Sequence, residues 1–259
     1  MHGVIVTGAS RGLGAALAAA LLESGGAVVG LARHASPETQ TLAEAYPERF
    51  AFVEADLADT ASLAGLCRDA LVLLAAHAPT ALTLVNNAGV VTPIAPAGQY
   101  AVDGMVAAYA VNLLAPVALT DAFLRETEPQ ASANVGRGVT RRVLNVSSGA
   151  AVKPYPGWGV YGSSKAALDQ FTRTVALEQA ARPHGARLVS LYPGVIDTGM
   201  QATIRAADPA DFPNRARFTA LKADGALTPP ENAARAIVAF LASADFGAEA
   251  VVDLRERKA

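Results

Sequence analysis

Tyr161 and Lys165 stand four residues apart at the head of an Ala-rich stretch. Ser148 follows the apolar run Val143, Leu144 and Val146. On a helix, positions four apart share a face, one turn above the other, which places the Lys165 ammonium near the Tyr161 phenol. A phenol titrates near pH ~10 and is a poor proton donor at neutrality. A cation that stabilises the phenolate by about 4 kcal/mol would bring it to pH ~7, where acid/base work is efficient. Ser148, at the exposed end of its strand, suits a hydrogen bond to an oxygen on which charge develops. The three read as a site that exchanges a proton with an alcohol or a carbonyl. A Y-x-x-x-K pair also arises by chance, and tyrosine on a helix is commonly a packing residue. The reading therefore needs a partner for the chemistry elsewhere in the chain.

The N-terminal stretch offers one. Val4–Thr7 reads as a buried parallel strand, Gly8-Ala9-Ser10-Arg11-Gly12-Leu13-Gly14 as a glycine-rich turn, and Ala15–Glu23 as a helix. Strand, glycine turn and helix in that order let a backbone approach phosphate while helix N–H groups face the anion. A second strand, Ala27–Leu31, ends in Ala32-Arg33. An acidic residue there would bind the ribose 2′-hydroxyl of NAD. Alanine followed by arginine, with Arg11 in the glycine turn, instead suits a 2′-phosphate, because a guanidinium pairs bidentately with phosphate oxygens. The expectation is NADP preference.

The remaining elements must hold these groups in place. Helices are expected over Pro37–Tyr46, over Thr60–Ala76 with Asp59 as N-cap, over Gln99–Glu126, from Tyr161 to about Ala181, and from Pro229 to about Ser243. Strands are expected at Phe50–Glu54, Leu82–Val85, Arg187–Leu191 and Ala250–Val252. Asn86-Asn87-Ala88-Gly89 closes the fourth strand; its asparagines either build a turn or tie strand ends to a cofactor. Asn112 lies in an apolar stretch and needs hydrogen-bond partners. Glu128–Arg142 is polar and reads as a surface loop. Residues 197–228 read as an excursion that covers a site, with Pro209 and Pro213 inside it. Strands alternating with helices argue an α/β fold, one doubly wound parallel sheet in a single domain over residues 1–259.

Composition excludes several classes. The chain has 259 residues, 52% hydrophobic content and a net charge of −2, which speaks against a nucleic-acid or anionic-membrane surface. Cys67 is the one cysteine, so no intrachain disulfide and no structural zinc cluster is expected, and no metal. The Ala-rich helices read as too short and interrupted to span a bilayer, and the first strand begins almost at Met1, with no room for a signal peptide. A soluble, cytoplasmic protein is expected.

In order and approximate spacing, Thr7-Gly8-x-x-x-Gly12-x-Gly14, Asn86-Asn87-Ala88-Gly89, Asn112, Ser148, Tyr161-x-x-x-Lys165 and Pro193-Gly194 resemble the short-chain dehydrogenase/reductase family along essentially the whole chain. The resemblance implies a Rossmann sheet of order 3-2-1-4-5-6-7. It also implies a nicotinamide cofactor and a homodimer or homotetramer built through the helices that carry Asn112 and Tyr161. It assigns Tyr161 as general acid in reduction and Lys165 to the nicotinamide ribose. Ser148 orients the substrate carbonyl, and Asn112 holds a proton-relaying water. The cofactor would lie on Thr7, Gly8, Ser10, Arg11, Gly12, Leu13 and Gly14, with Arg33, Asp56 and Leu57 at the adenosine end. Asn86, Ala88 and Gly89 would run along it, and Pro193, Gly194, Ile196 and Thr198 would meet the nicotinamide.

The end of the chain resembles the sepiapterin reductase and benzil reductase ((S)-benzoin-forming) branch, through Pro193–Gln201, Asp211-Phe212-Pro213, Leu221-Lys222 and Val251-Val252-Asp253-Leu254. That branch implies a substrate contact from Asp253 in the terminal segment, and Met200 is a further candidate. Tyr155 and Trp158, just before Tyr161, either line the substrate mouth as an aromatic wall or pack under the loop. The expected activity is NADPH-dependent reduction of a small aryl ketone or α-dicarbonyl. Reduction of a pteridine side chain or a 3-oxoacyl thioester, and NADP sensing without turnover, are the alternatives.

Overall fold

Seven short runs rich in branched and apolar residues become the strands of one parallel sheet. They are β1 (His2–Thr7), β2 (Ala27–Ala32), β3 (Phe50–Glu54), β4 (Ala81–Asn86), β5 (Thr140–Val146), β6 (Arg187–Tyr192) and β7 (Val251–Asp253). The computed structural model describes residues 1–132 and 138–257. Strand order is β3-β2-β1-β4-β5-β6-β7, and every neighbouring pair is parallel. β2 is buried along its whole length, as expected of a parallel strand covered on both faces.

Alternation along the strands divides the core in two. Val4 and Val6 face α1 (Gly12–Glu23) and α9 (Pro230–Ala242), meeting Leu17, Leu21, Ile237 and Phe240. Ile5 faces the other way, toward Leu63 and Leu74 of α3 (Leu63–Ala75) and Leu119 and Phe123 of α5 (Ala115–Ser132). α2 (Pro37–Ala45) begins with a reciprocal capping box between Ser36 and Thr39. α6 (Gly159–Ala180) lies along β6, and α7 (Gly199–Ala206) and α8 (Arg215–Ala223) form the excursion after β6. Cys67 is buried in α3, where burial pushes its thiol up to about 12, so it packs and does not react.

Three expectations are corrected. The long helix is not uniform: α4 (Val102–Tyr109) joins α5 through a π-helical turn, Ala110–Leu114. As a unit, Val102–Pro129 covers 28 residues and holds an 18-residue window with a mean hydropathy of 1.6, long and apolar enough to cross a membrane by length and composition. The expectation that the helices are too short and interrupted to span a bilayer fails here, because the π turn continues the helix without a break. Here its Leu119 and Phe123 pack on the sheet.

Glu128–Arg142 is not a surface loop throughout. α5 runs to Ser132 and β5 starts at Thr140; residues 133–137 lie outside the described residues. Arg141 is fully buried, its Nη1 2.8 Å from the Glu128 carboxylate, so polar residues that read as solvated form an ion pair against the fold. Finally, Asp59 does not cap α3. The helix begins at Leu63, and the Asp59 carbonyl accepts from the Ser62 hydroxyl at 2.9 Å.

Candidate active site

A cleft of about 1640 Å³ runs along the carboxyl ends of the strands. Its centre lies where the sheet order reverses between β1 and β4, the usual ligand position in an open α/β sheet. The β1–α1 turn forms its floor. Gly14 has no room for a side chain: a Cβ there would stand 2.1 Å from the Gly8 carbonyl oxygen and 2.6 Å from Asn87 Nδ2. Arg11 occupies the N-cap of α1 without a side-chain cap, which leaves the first-turn N–H groups to an outside acceptor. A cradle closed to any Cβ and an uncapped helix start fit a dinucleotide pyrophosphate.

Across the cleft, α6 presents Tyr161 and Lys165. The Ser148 hydroxyl hydrogen-bonds the Tyr161 phenol and accepts from the Ala150 N–H at 3.2 Å. Lys165 Nζ donates to the Val146 carbonyl at 2.8 Å and lies 6.0 Å from the centre of the Tyr161 ring. Asn112 is buried in the π turn, off the cleft wall. Its Oδ1 accepts from the Val90 N–H and its Nδ2 donates to the Val90 carbonyl, both at 2.8 Å. Asn112 therefore clamps the segment that follows β4 against α6, whose Ser164 hydroxyl takes a further bond at 3.2 Å.

The expected depression of the phenol pKa is absent. Burial pushes Tyr161 above its ordinary value, and the Ser148 hydrogen bond only partly opposes it. The Lys165 ammonium is turned to a backbone carbonyl, so its field on the phenol is weaker than i,i+4 spacing alone suggests. Lys165 itself is pushed down by burial to about 8, against the opposing pull of Asp169. Asp169 is buried one turn further along α6 and accepts from the Ser190 hydroxyl at 2.6 Å and from the Tyr192 hydroxyl.

A lysine whose folded pKa lies below its unfolded value costs stability below the folded pKa, and the cost vanishes as pH rises to the unfolded value. The shift from 10.5 to about 8 corresponds to roughly 3 kcal/mol. The stability of Lys165→Met relative to the parent is thus expected to be greatest at pH 7 and to fall by roughly that amount by pH ~10.5. Urea denaturation at both pH values checks it; an unchanging difference would mean that Lys165 titrates normally.

Above Tyr161 an aromatic wall rises. Trp158 lies 5.3 Å from Tyr161, 5.1 Å from Tyr155 and, stacked, 4.6 Å from Phe212, centre to centre. Phe218 of α8 completes the group with Ile204 and Val91. The excursion that supplies Phe212 and Phe218 is tied at its base, where Asp197 N–H donates to Thr228 O and Thr228 N–H to Val195 O, both at 2.9 Å. Gly157 admits it: a Cβ there would lie 2.1 Å from the Asp211 carbonyl oxygen. Phe218, which lines the cleft, was missed because nothing in its spacing distinguishes it from a core phenylalanine, and Phe212 is fully buried behind the wall. Met200 lines the cleft as expected. Asp253 also reaches it, but its carboxylate is held by Arg255 Nε at 2.9 Å and by Arg255 Nη2, which keep it below the usual carboxylate range.

At the far end, Arg11, Arg33, Asp56 and Leu57 line the cleft, with Ser36 and Glu38 beside them. Arg11 and Arg33 are exposed and, among the described residues, form no ion pair. Ala88, Gly89, Pro193, Gly194, Ile196 and Thr198 line the middle. Two expected cofactor residues do not reach the cleft wall. Asn86 points into the core, donating to Asn145 Oδ1 at 2.8 Å and Thr120 Oγ1 at 3.3 Å. Its neighbour Asn87 lines the cleft instead, because β4 still alternates at Asn86 and has ended by Asn87. Thr7 is buried beneath the turn, where its Oγ1 accepts from the N–H groups of Asn87 and Ala88 at 2.9 and 3.0 Å. Among the described residues no group of three or more His, Cys, Asp or Glu is arranged to hold a metal.

The family model described as short chain dehydrogenase matches residues 2–209. The chain belongs to the short-chain dehydrogenase family. As a short-chain dehydrogenase it is an oxidoreductase, of a family that uses NAD(H) or NADP(H). The benzil reductase ((S)-benzoin forming) of Bacillus cereus is 37% identical over 256 residues, covering 99% of this chain and all of that protein. Sepiapterin reductase of Mus musculus is 30% identical, over 96% of this chain and 95% of its own length. A short-chain dehydrogenase from Burkholderia cenocepacia, solved in complex with NADP, is 25% identical with a TM-score of 0.73, over 96% of this chain and 94% of that one.

Proposed function

We propose that this short-chain dehydrogenase reduces a small carbonyl, an aryl ketone or α-dicarbonyl, to the alcohol with NADPH. The observation that carries the reading is the convergence of the Ser148 and Tyr161 hydroxyls at the foot of the aromatic wall. An aryl group laid against Trp158 brings its carbonyl oxygen within reach of both. Tyr161 gives its proton to that oxygen as the C–O bond gains electrons, and Ser148 holds the oxygen in line. Lys165 bears on the phenol from below, and Asn112 keeps the Val90 backbone fixed beside them. Bound NADPH would supply the hydride to the carbonyl carbon.

Arg11 and Arg33 at the adenosine end, with Ala32 where an acid would favour NAD, support the choice of NADPH. Kinship with benzil reductase at 37% identity supports the aryl dicarbonyl. The Arg255 grip on Asp253 weighs against a pterin anchored there, and a complete proton-transfer set weighs against a sensor without turnover. The same proposal includes assembly through α4, the π turn, α5 and α6, where Val102, Val106, Leu114 and Leu177 are exposed; sedimentation at the monomer mass would remove that part.

The test measures NADPH and NADH consumption against benzil, 1-phenyl-1,2-propanedione, sepiapterin and an acetoacetyl thioester, with the parent and Arg33→Ala. The expected result is turnover of the aryl diketones with NADPH, and a loss in Arg33→Ala of about tenfold for NADPH alone, the worth of one charged hydrogen bond. Equal losses with both cofactors would remove the role of Arg33. Silence of the diketones would overturn the substrate class.

A further inference from the structure

Three cations from three separate segments gather around Tyr155. Lys153 precedes it in the loop after β5, Arg217 comes from α8, and Arg255 from the short 3-10 turn after β7. All line the cleft. Lys153 Nζ lies 5.7 Å and the Arg217 guanidinium carbon 6.0 Å from the centre of the Tyr155 ring. Arg217 Nη1 donates to the Tyr155 hydroxyl at 2.7 Å, and the Tyr155 hydroxyl acts on the charge of Arg255.

Arg255 has its counter-ion in Asp253 and feels Glu256 as well. The other two do not. Among the described residues no carboxylate lies within ion-pair distance of Lys153 or Arg217. Like charges drawn to one wall of a cleft repel one another and focus a positive field into it. Arg217 also lies 5.6 Å from the centre of the Phe218 ring, and such ring contacts hold a cation in place without neutralising its charge. Arg217 spends one of its five N–H groups on the Tyr155 hydroxyl and keeps the rest for a planar anion.

The ring ladder sets how far that anion lies from the chemistry. Tyr161 protonates the carbonyl oxygen, and steps of 5.3 and 5.1 Å lead from its ring over Trp158 to Tyr155. A ligand with its carbonyl at Tyr161 and its aryl ring on Trp158 would place the far edge of that ring at Tyr155. We propose that the substrate carries a carboxylate at that edge, one aromatic ring away from the reacting carbonyl, bound between Lys153 and Arg217. This rests on the carbonyl-reductase reading above and narrows its substrate class to aryl ketones with an acidic substituent. A neutral diketone such as benzil fills the aromatic wall and leaves both cations unpaired.

The test compares kcat/KM for benzil and 4-carboxybenzil with NADPH, in the parent and in the double variant Lys153→Met, Arg217→Met. Methionine keeps the apolar stems and removes the charges. The parent is expected to prefer the carboxylated diketone by at least about tenfold, mainly through KM, which one charge-assisted hydrogen bond suffices to give. The preference should shrink with added salt and fall to near unity in the double variant. Turnover of benzil without preference for its carboxylate would overturn this inference and leave the reductase intact.

Binding gives a readout that does not depend on turnover. Trp158 is the one tryptophan in the chain, so its fluorescence reports ligands on the aromatic wall. Biphenyl-4-carboxylate is expected to bind about tenfold more tightly than its methyl ester in the parent, and equally in the double variant. If neither diketone is reduced, that difference alone sustains the anion site while the reductase reading falls. Equal affinities in the parent would overturn it.

Discussion

Tyr161→Phe is expected to lower the rate of carbonyl reduction about 1000-fold, within the range of general acid catalysis, and to leave NADPH affinity nearly unchanged. Phenylalanine keeps the ring, and with it the contact to Trp158 at 5.3 Å; the hydroxyl and its bond to Ser148 are what disappear. Burial holds the parent phenol above its ordinary pKa, so the acid form persists through neutral and mildly alkaline pH. The parent should therefore show no loss of reduction through titration of Tyr161 below pH ~10. Stopped-flow single turnovers with NADPH at pH 7 and pH 9 measure both claims. Undiminished reduction by the variant would transfer the proton-donor role away from Tyr161.

Gly14→Ala is expected to abolish dinucleotide binding and destabilise the fold by about 3 kcal/mol, the upper range for forcing a methyl into a packed site. The added Cβ would meet backbone, the Gly8 carbonyl oxygen at 2.1 Å and its carbon at 2.7 Å, and backbone within a turn cannot swing aside as a side chain can. Either the turn opens or α1 withdraws from the cleft, and both displace the N–H groups that face the pyrophosphate. Gly65→Ala in α3 is the control. A Cβ at Gly65 meets nothing within 4 Å, and the helical position should gain about 0.5–1 kcal/mol. Cofactor titration and urea melts of the pair separate the cradle from a general intolerance of alanine; similar behaviour of the two variants would refute the close-approach argument.

Much of the sheet was legible because parallel strands buried on both faces read as continuous apolar runs. Phe50–Glu54 has the expected ends, β5 starts three residues before the apolar run at Val143, and the other strands differ by a residue or two. The glycine turn was legible because only glycine meets its steric demand. Other features depend on tertiary context that spacing does not carry. Whether Asn86 or Asn87 faces the cleft turns on the residue at which β4 stops alternating. Arg141 looked solvated because its partner, the half-exposed Glu128, stands far from it in sequence. The electrostatics of Tyr161 were misjudged because helical spacing shows that Lys165 is near, not that its ammonium is turned to the Val146 carbonyl. The aromatic wall was half legible: Tyr155 and Trp158 stand close to Tyr161 in sequence, whereas Phe212 and Phe218 arrive from a distant excursion.

The reciprocal bonds between Val195, Asp197 and Thr228 give that excursion adjoining points of departure and return. Everything between them can be replaced as a cassette without re-registering β6 or shifting the glycine turn. Divergence in what such an enzyme accepts is thereby uncoupled from how it holds its redox partner. A graft of residues 198–227 from a relative should transplant the upper wall of the pocket, Phe212 and Phe218 included, onto an unaltered catalytic helix.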